Sequence, residues 1–96
     1  RRYESPRRVT IAGTQYATLD WGFGGFRVTG YEGDLRRDNE FMVTCIAGPT
    51  SEGTAVRALA VVVHFSLEAK ELSCSFLDLD DAAFDELNKA VSRRLK

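Results

Sequence analysis

The chain has 96 residues, of which 44% are hydrophobic and 28% charged, and its formal net charge is −1. That balance fits one small globular domain with a modest core, and it excludes a general polyanion binder, so neither DNA nor RNA is an expected partner. The longest uncharged apolar run, Ala58 to Val63, is far too short to span a bilayer, and no signal-peptide pattern opens the chain, so no transmembrane segment is expected here.

The first residues, Arg1 to Pro6, read as an extended arm, because Pro6 is incompatible with a helix interior. Four of the first eight residues are arginine: Arg1, Arg2, Arg7 and Arg8. From Arg7 to Ala12 the pattern alternates, with Val9 and Ile11 on one face and Arg8 and Thr10 on the other, as in a half-buried strand. Gly13-Thr14 supplies a tight turn, and Gln15 to Asp20 returns as a second strand. The stretch Asp20-Trp21-Gly22-Phe23-Gly24-Gly25 then turns the chain into a third strand, Gly25 to Thr29. Three glycines within four positions point to positive φ or to a close approach of the main chain. The segments Gly30 to Asp34 and Arg36 to Asn39 are turn-rich and charged, so they read as a solvated surface connection.

Glu40 to Ala47 reads as the fourth strand, with Phe41, Val43 and Cys45 on one face and Met42, Thr44 and Ile46 on the other. Gly48 to Gly53 is a loop by composition. Thr54 to Ser66 is the longest strand, with Ala58, Ala60, Val62 and His64 on one face and Leu59, Val61, Val63 and Phe65 on the other. After a turn at Glu68 to Glu71, Leu72, Cys74 and Phe76 alternate with Ser73 and Ser75 as a sixth strand. The period then changes. Phe84, Leu87, Val91 and Leu95 form one stripe of an amphipathic helix. Asp80 is placed to cap it, and Leu79 to staple against Phe84. Six strands and a terminal helix without β-α-β alternation predict an all-β fold, an antiparallel barrel with one C-terminal helix.

Cys45 and Cys74 read as free thiols of a reducing compartment. His64 is the single histidine and lies in an apolar run, where a structural role is expected. Asp78, Asp80 and Asp81 precede the helix, and capping accounts for them. No metal-ligand spacing and no nucleophile–base pair is visible, so the residues offer no catalytic constellation and no cofactor. Trp21 and Phe23 read as packing residues, Arg27 as a solvent-facing strand residue, and Arg36-Arg37 as solvated. Arginines leading into a glycine corner with open backbone donors and a carboxylate make an anion or nucleotide site the sharpest functional expectation.

The corner also carries a family resemblance. Asp20-Trp21-Gly22-Phe23-Gly24-Gly25 is similar to the Asp-x-Ser-x-x-Gly motif of PilZ domains, matching its first and last positions and its length, and Gly25-Phe26-Arg27-Val28 resembles the strand that follows. The order of elements fits the family over nearly the whole chain. The resemblance implies a six-stranded PilZ-like β-barrel and a bacterial signalling module that binds cyclic di-GMP. Its finer features are similar to PilZ modules of exopolysaccharide systems of the alginate type. It implies ligand contacts from Arg1, Arg2, Arg7, Arg8, Asp20, Gly22 and Gly25, a fused or separate effector protein as partner, and a cytoplasmic location, free or as the cytoplasmic part of a membrane-associated protein. Residues 1–96 would be a single domain, and an opening arginine in place of methionine is expected of a piece excised from a longer protein. Two departures stand out. Gly22 occupies the serine position, and Arg2 and Arg7 are separated by four residues where the family's Arg-x-x-x-Arg arm has three. These departures define the alternative, a PilZ-like adaptor that engages a protein without nucleotide.

Overall fold

The computed structural model describes residues 3–4, 7–48 and 52–94, with side chains through residue 91. Six strands precede one helix: β1 (Arg8–Ile11), β2 (Thr14–Gly22), β3 (Gly25–Val28), β4 (Glu40–Ala47), β5 (Thr54–Ser66), β6 (Glu71–Leu79) and α1 (Asp81–Arg94). The strands close into a barrel in the order β1-β2-β3-β6-β5-β4, and every pairing is antiparallel. Closure removes free sheet edges, which suits a domain too small to cover them with further layers.

Local sequence explains the tight connections. β1 and β2 are joined by Ala12-Gly13, which take φ of 51° and 83°. Positive φ at both central residues gives the turn whose twist matches the flanking strands. β2 and β3 are joined by Phe23-Gly24, with Gly22 opposite Gly25. None of the three corner glycines takes positive φ. Gly25 is there for a different reason: a Cβ at that position would collide with the carbonyl oxygen of Cys74 on β6. The backbone comes too close to β6 for any side chain, as the glycine-rich sequence allows.

The core fills the barrel interior. Phe26 is fully buried and packs against Phe76, with centroids 5.3 Å apart, and edge-on against Phe41 at 6.5 Å. Val28, Val43, Ile46, Ala58, Ala60, Val62, Leu72 and Cys74 complete the centre. Burying each larger side chain stabilises the fold by roughly 1.5–3 kcal/mol.

Bulges correct the face assignments expected from simple alternation. The pairing register shifts between Val43 and Cys45, so Phe41 and Val43 face inward and Ile46 follows them, while Cys45 sits on the partly exposed side. A second shift between Val62 and His64 brings Phe65 against the core in place of His64, which is exposed. The residues skipped at three shifts are Leu19, Val63 and Leu77, exposed by 39%, 52% and 52%. An extra residue in one strand of a pair leaves the ladder and bends the strand. All three lie on the outward side that alternation with Thr18, Val62 and Phe76 gives them.

Helix α1 packs on β5 and the end of β6. Asp80 caps it as expected: its Oδ1 accepts from the Ala83 N–H at 2.9 Å, and its Oδ2 accepts from the Arg57 N–H on β5 at 3.0 Å. The buried stripe is Ala83, Leu87 and Ala90, with Val91 partly buried; Leu95 lies outside the described residues. Phe84, expected on that stripe, is half-exposed and meets Phe23 at 5.2 Å. No helix is long and apolar enough to cross a membrane among the described residues.

Candidate functional site: the amino-terminal arm and the β2–β3 corner

The arm reaches the corner. Tyr3 and Trp21 exchange two backbone hydrogen bonds, with the Tyr3 N–H donating to the Trp21 carbonyl at 2.7 Å and the Trp21 N–H to the Tyr3 carbonyl at 2.9 Å. The two rings lie 4.9 Å apart. Tyr3 is therefore held by an isolated antiparallel bridge beside the end of β2. Arg1 and Arg2 lie outside the described residues.

Arg7 is brought to the same place and is 6% exposed. Its backbone is anchored by Thr18, whose N–H donates to the Arg7 carbonyl at 2.9 Å and whose Oγ1 accepts from the Arg7 N–H at 3.2 Å. The guanidinium lies 5.5 Å from the Trp21 ring centroid, within cation–π range. It also donates to α1: Nη2 lies 3.1 Å from Glu86 Oε2 and 3.2 Å from the Glu86 carbonyl. Thr54 Oγ1 donates to the other carboxylate oxygen of Glu86 at 2.7 Å. Arg7 thus spans the corner strand and the helix.

Arg8 is turned to the neighbouring face of β1. Its Nε and Nη2 donate to the Gly48 carbonyl at 3.3 and 3.0 Å, and Nη1 donates to Gln15 Oε1 at 3.3 Å. Adjacent strand residues point to opposite faces, so the Arg7 and Arg8 guanidiniums diverge.

Asp20 is 9% exposed and stands directly opposite Arg27. Arg27 Nη2 lies 2.6 Å from Asp20 Oδ2 and Nε donates to the same oxygen at 2.8 Å, while Nη1 reaches Glu71 Oε1 at 3.1 Å. Arg27 keeps the half-exposed position expected of a solvent-facing strand residue and also bridges two carboxylates on the barrel wall. The hydrogen bond that Arg27 donates to Asp20, then the charge of Asp20, then the charge of Glu71 hold the Arg27 guanidinium above its ordinary pKa. No signal in the sequence marked this bridge, because residues seven apart become neighbours only once the hairpin register is fixed.

Gly22 and Gly25 pair with each other at the base of the turn. At the corner the Gly24 carbonyl accepts from the Phe76 N–H at 2.9 Å and from Ser75 Oγ at 3.3 Å. Trp21 is buried and Phe23 leans on Phe84. The geometry thus brings together the arm, Arg7, Trp21 and the glycine corner, and it directs Arg8 and the Asp20 carboxylate to neighbours of their own. Among the described residues no three histidine, cysteine or carboxylate side chains gather closely enough to hold a metal ion. Arg36 is exposed, as expected, and also makes contacts of its own. Its guanidinium lies 4.2 Å from the Phe65 ring centroid, and Nη1 donates to the Gly33 and Leu35 carbonyls.

Neither the comparison with protein-family models nor the comparison with curated proteins found a match for this chain.

Proposed function

We propose that this barrel is a non-enzymatic sensing module that binds cyclic di-GMP at the arm and corner and passes the signal to an attached or partner effector. On this reading it is a cytoplasmic receptor that regulates exopolysaccharide production. The observation that supports it is the pairing of Tyr3 with Trp21 beside the glycine corner, with the Arg7 guanidinium over the same Trp21 ring. Arg7 at this junction already grips anionic oxygen on Glu86, and a phosphodiester makes the same charge-assisted contacts with a guanidinium. Arg8 is the next residue along the chain, and Asp20, Gly22 and Gly25 belong to the β2–β3 hairpin. The glycine at position 22 lacks the hydroxyl that the family motif carries. A lost hydrogen bond to a charged group is worth about 1.5–3 kcal/mol, which lowers affinity by roughly tenfold to a hundredfold.

Calorimetric titration of the whole chain with the dinucleotide tests this. Saturable heat that disappears in the Arg7→Ala, Arg8→Ala double variant is the expected result, and absence of heat at high micromolar ligand overturns it. A second reading, the nucleotide-independent adaptor, draws support from the half-exposed Phe23–Phe84 pair, an aromatic contact suited to anchoring a partner protein. Partner capture that is unchanged by the dinucleotide and lost in Phe84→Ser selects that reading.

A further inference from the structure

The end of the barrel away from the corner is open. There the Ala12-Gly13 turn, the segment after β3 and the start of β4 surround a cleft of about 630 Å³. That size lies within the range of small-molecule sites, which are mostly apolar with a few placed polar groups. The walls here fit that description: Ile11, Tyr16, Tyr31, Leu35, Phe41 and Met42 supply the apolar surface. Tyr16 and Tyr31 meet with ring centroids 5.3 Å apart and planes inclined at 54°, so they form an angled aromatic corner. Tyr31 is fixed in place, because its hydroxyl oxygen accepts the Leu35 N–H at 2.9 Å.

The charge of the lining decides the class of occupant. Asp34 is the one charged residue among those that line the cleft, and it is exposed at the rim. Two neighbouring cations are committed elsewhere. Arg36 is folded over Phe65 and bound to the Gly33 and Leu35 carbonyls, and Lys70 pairs with Glu32 at 3.2 Å. Aromatic faces and a carboxylate both favour a positive charge, and apolar walls favour a ring or alkyl body.

We infer that this cleft is a binding site for a small organic cation, an amine carried on an aromatic or compact apolar body, with Tyr16, Tyr31 and Phe41 holding the body and Asp34 facing the ammonium group. Its lining residues are distinct from those of the arm and corner.

Three probes with a common phenol ring test it: tyramine as the cation, 4-ethylphenol as the neutral analogue and 4-hydroxyphenylacetate as the anion. Amide shifts of the isotope-labelled whole chain are followed during each titration. The expected result is saturable shifts at Tyr16, Leu35, Phe41 and Met42, with tyramine binding roughly threefold to tenfold tighter than the neutral analogue and the anion weakest. Asp34→Asn, an exposed loop substitution, removes most of that gap. Thr14→Trp fills the mouth and abolishes binding while the shifts of Phe26 and Leu72 stay in place. The inference is overturned by a lack of saturable shifts at about 10 mM tyramine, a concentration that would reveal even a very weak site. It is equally overturned if the anion binds as well as the cation, or if Asp34→Asn leaves the order and spacing of affinities unchanged.

Discussion

Asp20 and Arg27 face each other across β2 and β3, and the 2.6 Å contact joins a buried carboxylate to a half-exposed guanidinium. The two ends of this pair are unequal. Arg27 remains largely hydrated if its partner is lost, whereas Asp20 loses two short donors within a buried setting. Arg27→Met is therefore expected to destabilise the domain by about 1–3 kcal/mol, and Asp20→Asn by less, as measured by urea unfolding. The sign of the pH dependence follows from Arg27. Its pKa is raised in the fold, so its contribution is fully present below its ordinary value and is lost only in strong alkali. The stability difference between wild type and Arg27→Met should be flat between about pH 7 and about pH 10. A marked slope in that window would contradict the assignment.

Arg7 and Glu86 tie the arm to the helix with little exposure on either side. Removing one partner of such a pair leaves the other charge poorly compensated and typically costs about 3–5 kcal/mol. Glu86→Ala is expected to approach that range and to raise hydrogen exchange in α1 before the barrel strands. The paired replacement Arg7→Met with Glu86→Leu should recover most of the loss, since apolar side chains of similar size fill the same space.

Gly24 and Gly25 are neighbours with opposite tolerances. A Cβ on Gly25 would strike the Cys74 carbonyl, whereas a Cβ on Gly24 meets open space at a backbone angle any residue can adopt. Gly25→Ala should force β3 away from β6 and cost several kcal/mol, within the tail of about 4–5 kcal/mol or less known for severe substitutions. Gly24→Ala should be neutral or stabilising by up to about 1 kcal/mol, because it narrows the unfolded ensemble. Thermal melting of the two variants distinguishes them directly.

Ala12 holds a φ of 51° in the first hairpin turn, a region that alanine enters at a cost. Ala12→Asn creates the Asn-Gly pair that such turns favour. We expect a gain of about 0.5–1 kcal/mol in unfolding free energy. An unchanged or lowered melting temperature would show that the turn is not strained at this residue.

Periodicity carried most of the architecture. The bounds of β4 and β5 follow from their apolar and β-branched runs, and Asp80 announced the start of α1 through its capping chemistry. What alternation missed has one cause. His64 was expected on the face of Ala58, Ala60 and Val62, and Cys45 on that of Phe41 and Val43, yet beyond a register shift His64 is exposed, Phe65 packs on the core and Cys45 is partly exposed. A shift of one residue exchanges the two faces of a strand, and nothing in the local run of side chains reveals where a partner strand skips. The site was legible in the same uneven way. The Asp20-to-Gly25 hairpin was visible in its glycines, but the pairing of Arg7 with Glu86 joins residues 79 positions apart and depends on where the helix docks. Phe84 was assigned inward for the same reason: its helical spacing suited the stripe, and only the docked position of α1 turns it toward Phe23.

The wiring of the sheet has a consequence for biosynthesis. β3 takes β6 as its partner, with Phe26 beside Cys74, so the first hairpins of the barrel must wait for its sixth strand before their last seam can form. A nascent chain that stalls after β5 would carry an unsatisfied row of amides and carbonyls along β3. Emergence of the final strand from the ribosome is therefore the step that renders the protein safe from sticking to its siblings.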